Sequence, residues 1–211
     1  MTSVAKVGLI VEGRTEEVVL RDMLRRHLQS KNPRLPVDKA LGRITPDGGD
    51  RIRNKDWVAE QVTKLRQGHH DHVAVVADQE KYRSAEVVRK RLTSCGADGV
   101  FVVSPKFERW LLADRDAVQQ VIGRPRPANW RSRDPLEVLE ALKPGYKKVA
   151  DGTLLGRASS AVTWAQEEPE FCELLRSIEV WLRLMPTECG EARTRRATKQ
   201  TRGRRRVRSD R

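Results

Sequence analysis

Acidic side chains follow three short apolar runs of this sequence. The apolar runs are Val4–Val11, His72–Ala77 and Gly99–Val103. The charged residues that follow them are Glu12, Asp78, Glu80, Lys106 and Glu108. Each run is short and rich in β-branched residues, which is typical of a strand buried on both faces of a parallel sheet. Because such sheets bind ligands outside the carboxyl ends of their strands, we expect these side chains to meet at one edge of the sheet.

Grouped carboxylates at that edge predict a site for a hard divalent cation. Asp78 and Glu80 are two residues apart, so extended backbone would aim both side chains the same way. Glu16 lies one helical turn after Glu12 and would point back to the same place. Such charges repel one another unless a cation lies among them, and carboxylate oxygens are ligands that Mg²⁺ and Mn²⁺ prefer. Each acid taken singly is as well explained as a helix cap or a solvated loop residue, and their combination favours the metal site.

The periodicity between and after these runs predicts an α/β fold. The first 103 residues follow the order strand, helix, loop, helix, strand, helix, strand, which indicates parallel strands joined by helical crossovers. The expected helices lie at about 15–30, 55–67, 84–95, 107–113, 116–122, from Asp134 onward, 154–164 and 170–182, with residues 31–54 as a long loop. We therefore expect an α/β core over residues 1–115, a helical C-terminal part over 116–185 packed on it, and a disordered basic tail over 186–211.

The positive charge of the chain is concentrated near its end. The formal net charge is +13, of which residues 193–211 carry +9 and residues 1–192 carry +4. The residues of that segment expected to bind nucleic acid are Arg195, Arg196, Lys199, Arg202, Arg204, Arg205, Arg206 and Arg208. Because guanidinium groups pair well with phosphate, the expected partner is DNA or RNA, and the alternative is an extension without a partner. A membrane surface is not expected, since the segment offers no apolar anchor beyond Val207.

Several classes of protein are excluded by what the sequence lacks. It has no run of 18 apolar residues and no signal-peptide pattern, so we expect a cytoplasmic protein without a membrane span. It has no GxxxxGK[ST], GxGxxG, GxSxG or HExxH motif, which argues against an ATPase, a dinucleotide oxidoreductase, a serine hydrolase and a zincin. The three cysteines, Cys95, Cys172 and Cys189, are scattered without CxxC spacing, so we expect reduced thiols, with no disulfide framework and no zinc site.

A group of histidines, His69, His70 and His72, also has the composition of a metal site. It precedes the apolar run whose far end carries Asp78. Extended chain would place His72 and Ala77 roughly 17 Å apart, so the histidines cannot share a site with the acids. We expect them to lie in a solvated loop.

Longer motifs carry a family resemblance. The stretch VGLIVEGRTEE at residues 7–17, followed by a strand ending in VADQEK, resembles the TOPRIM domain. That is the metal-binding α/β domain of topoisomerases, primases and the overcoming-lysogenization-defect (OLD) family nucleases. The phrase VEGxTE, with SPKFERWLLAD and the later KKVADGTLLGRA and FCELL, is more closely similar to DUF4276, a family of small TOPRIM-like proteins. The resemblance spans residues 4–182 and implies a TOPRIM-like parallel sheet flanked by helices.

The resemblance also implies a role for each acid. Glu12 matches the acid after the first TOPRIM strand, a metal ligand or general base, and Glu16 matches a second acid of OLD-type domains. Asp78 and Glu80 match the DxD pair that binds metal. The second acid of the pair is Glu here rather than Asp, and its longer side chain puts one metal position in doubt. Glu108 lies where the DUF4276 pattern has a further acid.

The function implied by the resemblance is Mg²⁺- or Mn²⁺-dependent hydrolysis of phosphodiester bonds in nucleic acid, in a phage-defence system. Lys106 would match the lysine that OLD nucleases use near the scissile phosphate and would steady the charge that develops there. Two alternatives stay open. One is a nucleic-acid-binding module that no longer cleaves, which the departure at Glu80 supports. The other is a subunit that works with a separate ATPase, because OLD nucleases carry an ATPase and this chain lacks its motif.

Overall fold

Four parallel strands form the sheet at the centre of the protein. The structure is a computed structural model, and it describes residues 4–46, 49–80 and 82–189. The strands are β1 (Val7–Val11), β2 (Leu41–Pro46), β3 (His72–Asp78) and β4 (Gly99–Val103). They are ordered β2-β1-β3-β4, and every neighbouring pair is parallel. The carboxyl ends of all four strands therefore lie along one edge, as the sequence predicts.

Helices cover both faces of this sheet. They are α1 (Arg14–Lys31), α2 (Val37–Ala40), α3 (Lys55–Gln67), α4 (Ala85–Leu92), α5 (Glu108–Ala113), α6 (Arg115–Ile122), α7 (Pro135–Leu142), α8 (Lys148–Ala158), α9 (Ala161–Glu167) and α10 (Pro169–Trp181). Two short 3₁₀ turns are Gly49–Arg53 and Trp130–Ser132. The expected α/β class is confirmed.

The two faces of the sheet bury two separate apolar cores. Alternate residues of β1 point to opposite sides, so Leu9 joins the larger core and Ile10 the smaller one. The larger core contains α1 and α5 to α10, and the smaller core contains α3 and α4. The helices that follow β4 thus pack against the same sheet face as α1.

Fully buried aromatic rings fix the position of α5 within the larger core. Trp110 of α5 packs edge-on against Phe171 with ring centroids 5.1 Å apart, and Trp164 packs edge-on against Phe171 at 5.2 Å. Such ring pairs contribute beyond the area that they bury. These contacts hold α5 in place, and Glu108 is the first residue of that helix.

The strand β2 is absent from the sequence prediction, which assigned residues 31–54 to a loop. Its sequence, LGRITP, contains Gly42, Arg43 and Pro46 and lacks the apolar run of the other strands. Such a composition is tolerated here because β2 pairs on one side with β1 and is the edge strand of the sheet. The same prediction started β1 at Val4, whereas the strand begins at Val7.

Helical boundaries after Pro105 also differ from the prediction in one region. The expected helix 154–164 is two helices, α8 and α9, separated where the Ser160 side chain accepts a hydrogen bond from the Thr163 N–H. Helix α8 starts at Lys148, six residues before the expected start at residue 154. The helix start at Asp134 is confirmed, because its Oδ1 accepts hydrogen bonds from the Leu136 and Glu137 N–H groups at 2.9 and 3.2 Å.

The expectation of three reduced thiols is wrong for two of them. Cys172 of α10 and Cys189 form a disulfide with a Cα–Cα distance of 5.8 Å, and Cys95 is free and buried. The chain turns back after α10, and Thr187 is anchored there by hydrogen bonds to the buried Glu179. A 17-residue separation without a local motif gives no sign of this pairing in the sequence.

The anchored segment extends to Cys189, beyond the predicted start of the tail at residue 186. The rest of the predicted tail, with all its expected nucleic-acid-binding residues, lies outside the described residues. Among the described helices, none is long and apolar enough to cross a membrane.

Candidate metal centre

Three of the predicted acids converge at the carboxyl edge of the sheet. Glu12 directly follows β1, Asp78 is the last residue of β3, and Glu80 comes two residues later. One carboxylate oxygen from each lies within 4.8 Å of the others. Glu12 and Asp78 are joined further, since the Asp78 N–H donates to Glu12 Oε2 at 3.2 Å. The pairing of β1 with β3 explains this, because adjacent parallel strands end side by side.

Glu80 reaches the cluster by a turn and not by the extended backbone that the sequence argument assumed. Its φ is +44°, in the left-handed region that non-glycine residues rarely adopt. The turn is held by the loop after β4: the Glu80 N–H donates to Pro105 O at 2.8 Å, and the Gln79 N–H donates to Val103 O at 2.7 Å. A strained residue held by its surroundings at a candidate site is an observation that favours a functional role.

The structure adds a cation that the sequence analysis missed. Arg53 places Nη2 at 2.8 Å from Glu12 Oε1 and 2.7 Å from Glu80 Oε2, and only 4% of its side chain is exposed. Two of the three carboxylates therefore share a buried guanidinium. The signal was the strand β2: residues that follow its carboxyl end return to the same edge as Glu12, so recognition of β2 would have directed attention to Arg53.

Burial makes the negative charge of the cluster unfavourable. Burial raises the pKa of Glu12, and Arg53 opposes that rise only in part. Burial raises the pKa of Asp78 well above its ordinary range, and Glu12, Glu16 and Glu108 add to the effect. Without a further cation the cluster retains protons that exposed carboxylates would lose, so cation binding there is coupled to proton release.

Glu16 and Glu108 extend the acidic cluster on the side of α1 and α5. Burial raises the pKa of Glu16 to about 7, and Glu108 and Glu12 contribute to the rise. Glu108, the first residue of α5, is 7% exposed. Its Oε1 lies 3.0 Å from the Nζ of Lys148, whose side chain is more than half exposed. Lys148 is a second cation that the sequence analysis did not assign to the site.

Close packing of α8 on α1 determines the position of Lys148, the first residue of α8. Gly152 and Gly156 face α1, where an added Cβ would lie 2.8 Å from Thr15 Cγ2 and 2.4 Å from Val19 Cγ1. Only glycine permits this approach. It brings the first turn of α8 next to the first turn of α1, which carries Glu16.

The loop before α8 places a buried hydroxyl beside the acids. Tyr146 Oη is buried and has no hydrogen-bond partner among the described residues. Burial raises the pKa of Tyr146, and the charges of Glu108, Asp151 and Glu16 raise it further. Asp151 holds this loop by accepting a hydrogen bond from the Lys147 N–H at 2.7 Å. An unpartnered donor in this position is available to a ligand of the acidic cluster.

Lys106, the lysine predicted for the phosphate, is paired with a different acid. Its Nζ lies 2.9 Å from Oδ2 of Asp134, the residue that caps α7. The hydrogen bond to Asp134 raises the pKa of Lys106, and Glu108 adds a smaller effect. Lys106 therefore lies at the border of the acidic cluster, beside Glu108.

The histidine group lies at the amino edge of the sheet, away from the acids, as expected. The prediction of a solvated loop is wrong for His70, which is buried and accepts a hydrogen bond from the Arg43 N–H of β2 at 3.0 Å. Its Nδ1 lies 2.8 Å from Leu65 O at the end of α3. His72 stacks on Trp181 with ring centroids 5.1 Å apart. These contacts give His70 and His72 a structural role in joining helices to the sheet.

Comparison with known proteins gives a family without a described activity. No curated protein and no solved structure matches the chain. The family model that matches is DUF4276, described as "Domain of unknown function (DUF4276)", and the match covers residues 11–179. That range includes all the acids of the cluster, Arg53 and Lys148. The chain therefore belongs to the DUF4276 family.

Proposed function

We propose that this chain hydrolyses phosphodiester bonds in nucleic acid, with Mg²⁺ or Mn²⁺ held by Glu12, Asp78 and Glu80. The observation that carries the proposal is the convergence of one oxygen from each carboxylate within 4.8 Å. All three donors are hard oxygen ligands, which suit these cations. The raised pKa values of Glu12 and Asp78 support it, because a cation would relieve the charge that burial makes unfavourable there.

Each residue of the cluster has a distinct task in this proposal. A bound cation would polarise the phosphate and lower the pKa of a water molecule. Glu12, held at the end of β1, would accept the proton of that water. Glu16 and Glu108 would complete the ligand cage on the α1 side. Lys106, at the border of the cluster, would face the phosphate charge.

The relation to TOPRIM domains and the partners belong to the same proposal. The chain carries an acid after its first strand and an acidic pair after a neighbouring one, which is the arrangement that the TOPRIM resemblance implies. The basic residues of 195–208 would attract DNA or RNA. A separate ATPase subunit and a role in phage defence follow from the resemblance to OLD nucleases alone.

Cleavage and cation binding by the purified full chain test the proposal together. Labelled DNA and RNA would be incubated with Mn²⁺, with Mg²⁺ or with EDTA. A cation at a hundredfold excess over its dissociation constant stabilises the folded protein by about 2.7 kcal/mol, so Mn²⁺ should raise the melting temperature. Asp78→Asn should abolish both cleavage and the rise in melting temperature. Asp38→Asn, which changes an exposed surface pair with Arg25, is the matched control and should change neither.

No rise in melting temperature and no calorimetric binding would contradict the metal centre. Cation binding without cleavage of any substrate would retain the centre and reject the hydrolase.

One observation favours a second candidate, a nucleic-acid-binding module without cleavage. Arg53 already bridges Glu12 and Glu80, so a protein cation occupies part of the space between the acids. In that module the acids would serve to hold Arg53. Nucleic acid would then bind equally well in EDTA and in Mn²⁺, and the melting temperature would not respond to either cation.

A further inference from the structure

Trp130 lies within a group of arginine side chains on the surface beside α5 and α7. The guanidinium carbons of Arg131, Arg126 and Arg109 lie 4.5, 4.6 and 5.9 Å from its ring centroid. The indole itself is 3% exposed. The arginines therefore cover the ring, and the surface beside it combines their guanidinium groups with the partly exposed carboxylate of Glu167, which lies 2.5 Å from Arg131 Nη2.

Each of these three guanidiniums is held in a fixed position. Glu168 is 1% exposed, and its carboxylate accepts hydrogen bonds from Arg109 Nε at 2.8 Å and Arg131 Nη1 at 2.9 Å. Arg126 Nη1 donates to Ala113 O at 2.8 Å, at the end of α5. Contact with the ring and these hydrogen bonds together order side chains that otherwise lose much rotamer entropy on binding a ligand.

Two further arginines, Arg124 and Arg133, flank the ordered group and are exposed. Within the described part of the chain, no carboxylate lies within ion-pair distance of either. Pro125 and Pro127 restrict the backbone between Arg124 and Trp130. The Trp130 arginine surface consists of Trp130 with Arg109, Arg124, Arg126, Arg131 and Arg133.

This surface begins where the acidic cluster ends. Arg109 directly follows Glu108 in α5, and Arg133 directly precedes Asp134, which pairs with Lys106. Two members of the surface are thus chain neighbours of residues that belong to the acidic cluster or border it.

We propose that the Trp130 arginine surface binds consecutive phosphates of the nucleic-acid strand that enters the metal centre. The inference rests on the proposed function and names the surface through which that site holds its substrate. A guanidinium presents a planar set of donors that matches phosphate oxygens in pairs. Because the indole is covered, the contacts are to the backbone and not to stacked bases, so binding should depend weakly on base sequence.

Binding measured in EDTA tests the surface without requiring cleavage. The full chain with Arg124→Gln and Arg133→Gln would be compared with the wild type by fluorescence anisotropy of a labelled single-stranded oligonucleotide over a range of salt concentrations. The matched control is Arg34→Gln with Arg183→Gln, which removes the same charge at the amino edge of the sheet, where Arg183 lines a groove with His72.

The first double variant should bind on the order of tenfold more weakly, and its salt slope should fall by about 0.7 for each phosphate that it no longer neutralises. The control should bind within about twofold of the wild type. Equal weakening in both double variants, or weakening in neither, would overturn the proposal, since only net charge or the basic C-terminal segment would then matter.

Chemical footprinting gives a second measurement on the unmodified chain. Arg124 and Arg133 should be protected from phenylglyoxal by a saturating oligonucleotide, whereas Arg34 and Arg183 should react at the same rate with and without it. Unprotected Arg124 and Arg133 would also overturn the proposal. If both binding tests succeed and no cation supports cleavage, the hydrolase fails and the arginine surface stands as the binding face of the non-cleaving module.

Discussion

Both carboxylate oxygens of Glu12 accept hydrogen bonds from other residues of the candidate metal centre. Its Oε1 accepts from Arg53, and its Oε2 accepts from the Asp78 N–H. The side chain is therefore held by two donors on two different elements. A carboxylate fixed in this way is preorganised to bind a cation or to accept a proton.

Replacing Glu12 by Gln removes the charge and retains the size of the side chain. If Glu12 binds the cation or accepts the proton of the attacking water, cleavage should fall by at least about a hundredfold, the usual scale for general acid–base catalysis. The fold should persist, because Arg53 keeps Glu80 as a partner. The measurement is cleavage in Mn²⁺ together with melting in metal-free buffer.

Glu17→Gln is the control for this change, since Glu17 lies in the first turn of α1 and pairs with Arg14 and Arg21 outside the cluster. Wild-type cleavage by the Glu12 variant would remove that residue from the chemistry. Loss of the fold would assign it a structural role as the acceptor for Arg53.

Glu16 should make the stability of the metal-free protein depend on pH. Burial, with Glu108 and Glu12 nearby, raises the pKa of Glu16 from 4.5 to about 7. The unfolded chain loses this proton near the lower value, whereas the folded protein retains it until the higher one. The folded state binds more protons in that window, so stability falls as the pH rises from about 4.5 to 7. A shift of this size corresponds to on the order of 3 kcal/mol.

We expect Glu16→Gln to stabilise the protein at pH 8 more than at pH 5, because only the ionised form is unfavourable in the folded state. Urea unfolding in EDTA at the two pH values measures the difference. Glu173→Gln, an exposed change on α10, should show no such difference. An equal effect of Glu16→Gln at both values would mean that the group does not titrate between them.

At the scale of elements, the contact between α1 and α8 determines whether the two sides of the acidic cluster meet. Gly156 lies against Val19, and a Cβ at position 156 would approach Val19 Cγ1 to 2.4 Å. Gly156→Ala should therefore separate the helices. The expected decrease in stability is about 1–3 kcal/mol from overpacking, reduced by up to about 1 kcal/mol because alanine favours helix.

A double-mutant cycle isolates this contact. In a Val19→Ala background the two Cγ atoms are gone, and the remaining Cβ of residue 19 lies 3.1 Å from the added methyl group, so Gly156→Ala should cost less than it does in the wild type. Urea unfolding of the four proteins gives the coupling energy. A cost that is the same in both backgrounds would show that another contact of Gly156 is responsible.

The same pair of helices shows what the sequence could and could not predict. Strands β1, β3 and β4 are apolar on both faces, so their runs were evident, and the acids after them followed from the rule for parallel sheets. In α8 two of the inward positions are glycines, so the apolar stripe that marks a buried helix is missing and the prediction began the helix too late. The edge strand β2 contains Gly42, Arg43 and Pro46 and therefore also lacks an apolar run. Because β2 was not predicted, Arg53, which follows it, was not placed at the carboxyl edge.

The site was therefore predictable where side chains are held by strands, and not where they are brought in by packing. Lys148 reaches Glu108 because α8 packs on α1, and Lys106 pairs with Asp134, the residue that caps α7. Neither pairing has a fixed sequence spacing that would have revealed it.

At the scale of the whole molecule, the disulfide ties the end of the described chain to the larger core. Cys172 is fully buried in α10, and Cys189 reaches it after the chain has passed Thr187, which is hydrogen-bonded to Glu179. Glu179 also contacts His27 of α1 at 2.7 Å. The segment that precedes residues 190–211 is thus fixed to both α10 and α1.

Reduction of this disulfide should lower the stability of the protein without abolishing its fold. A cross-link that closes a loop of this length restricts the unfolded chain by about 3 kcal/mol, and removal should cost about that much. The contacts of Thr187 and Glu179 should keep the segment in place under native conditions. Urea unfolding with and without a reducing agent measures the decrease.

Cys189→Ser separates the disulfide from other effects of the reductant. Cys189 is partly exposed, whereas a serine at the buried position 172 would leave a hydroxyl without a partner in the core. The Cys189 variant should have the stability of the reduced wild type and should not respond to reductant. Cys95→Ala, which changes the free thiol, should keep the full response. If the wild type has the same stability in both conditions and mass mapping finds both thiols free, the two cysteines lie side by side without a bond, and the expectation of reduced thiols is restored.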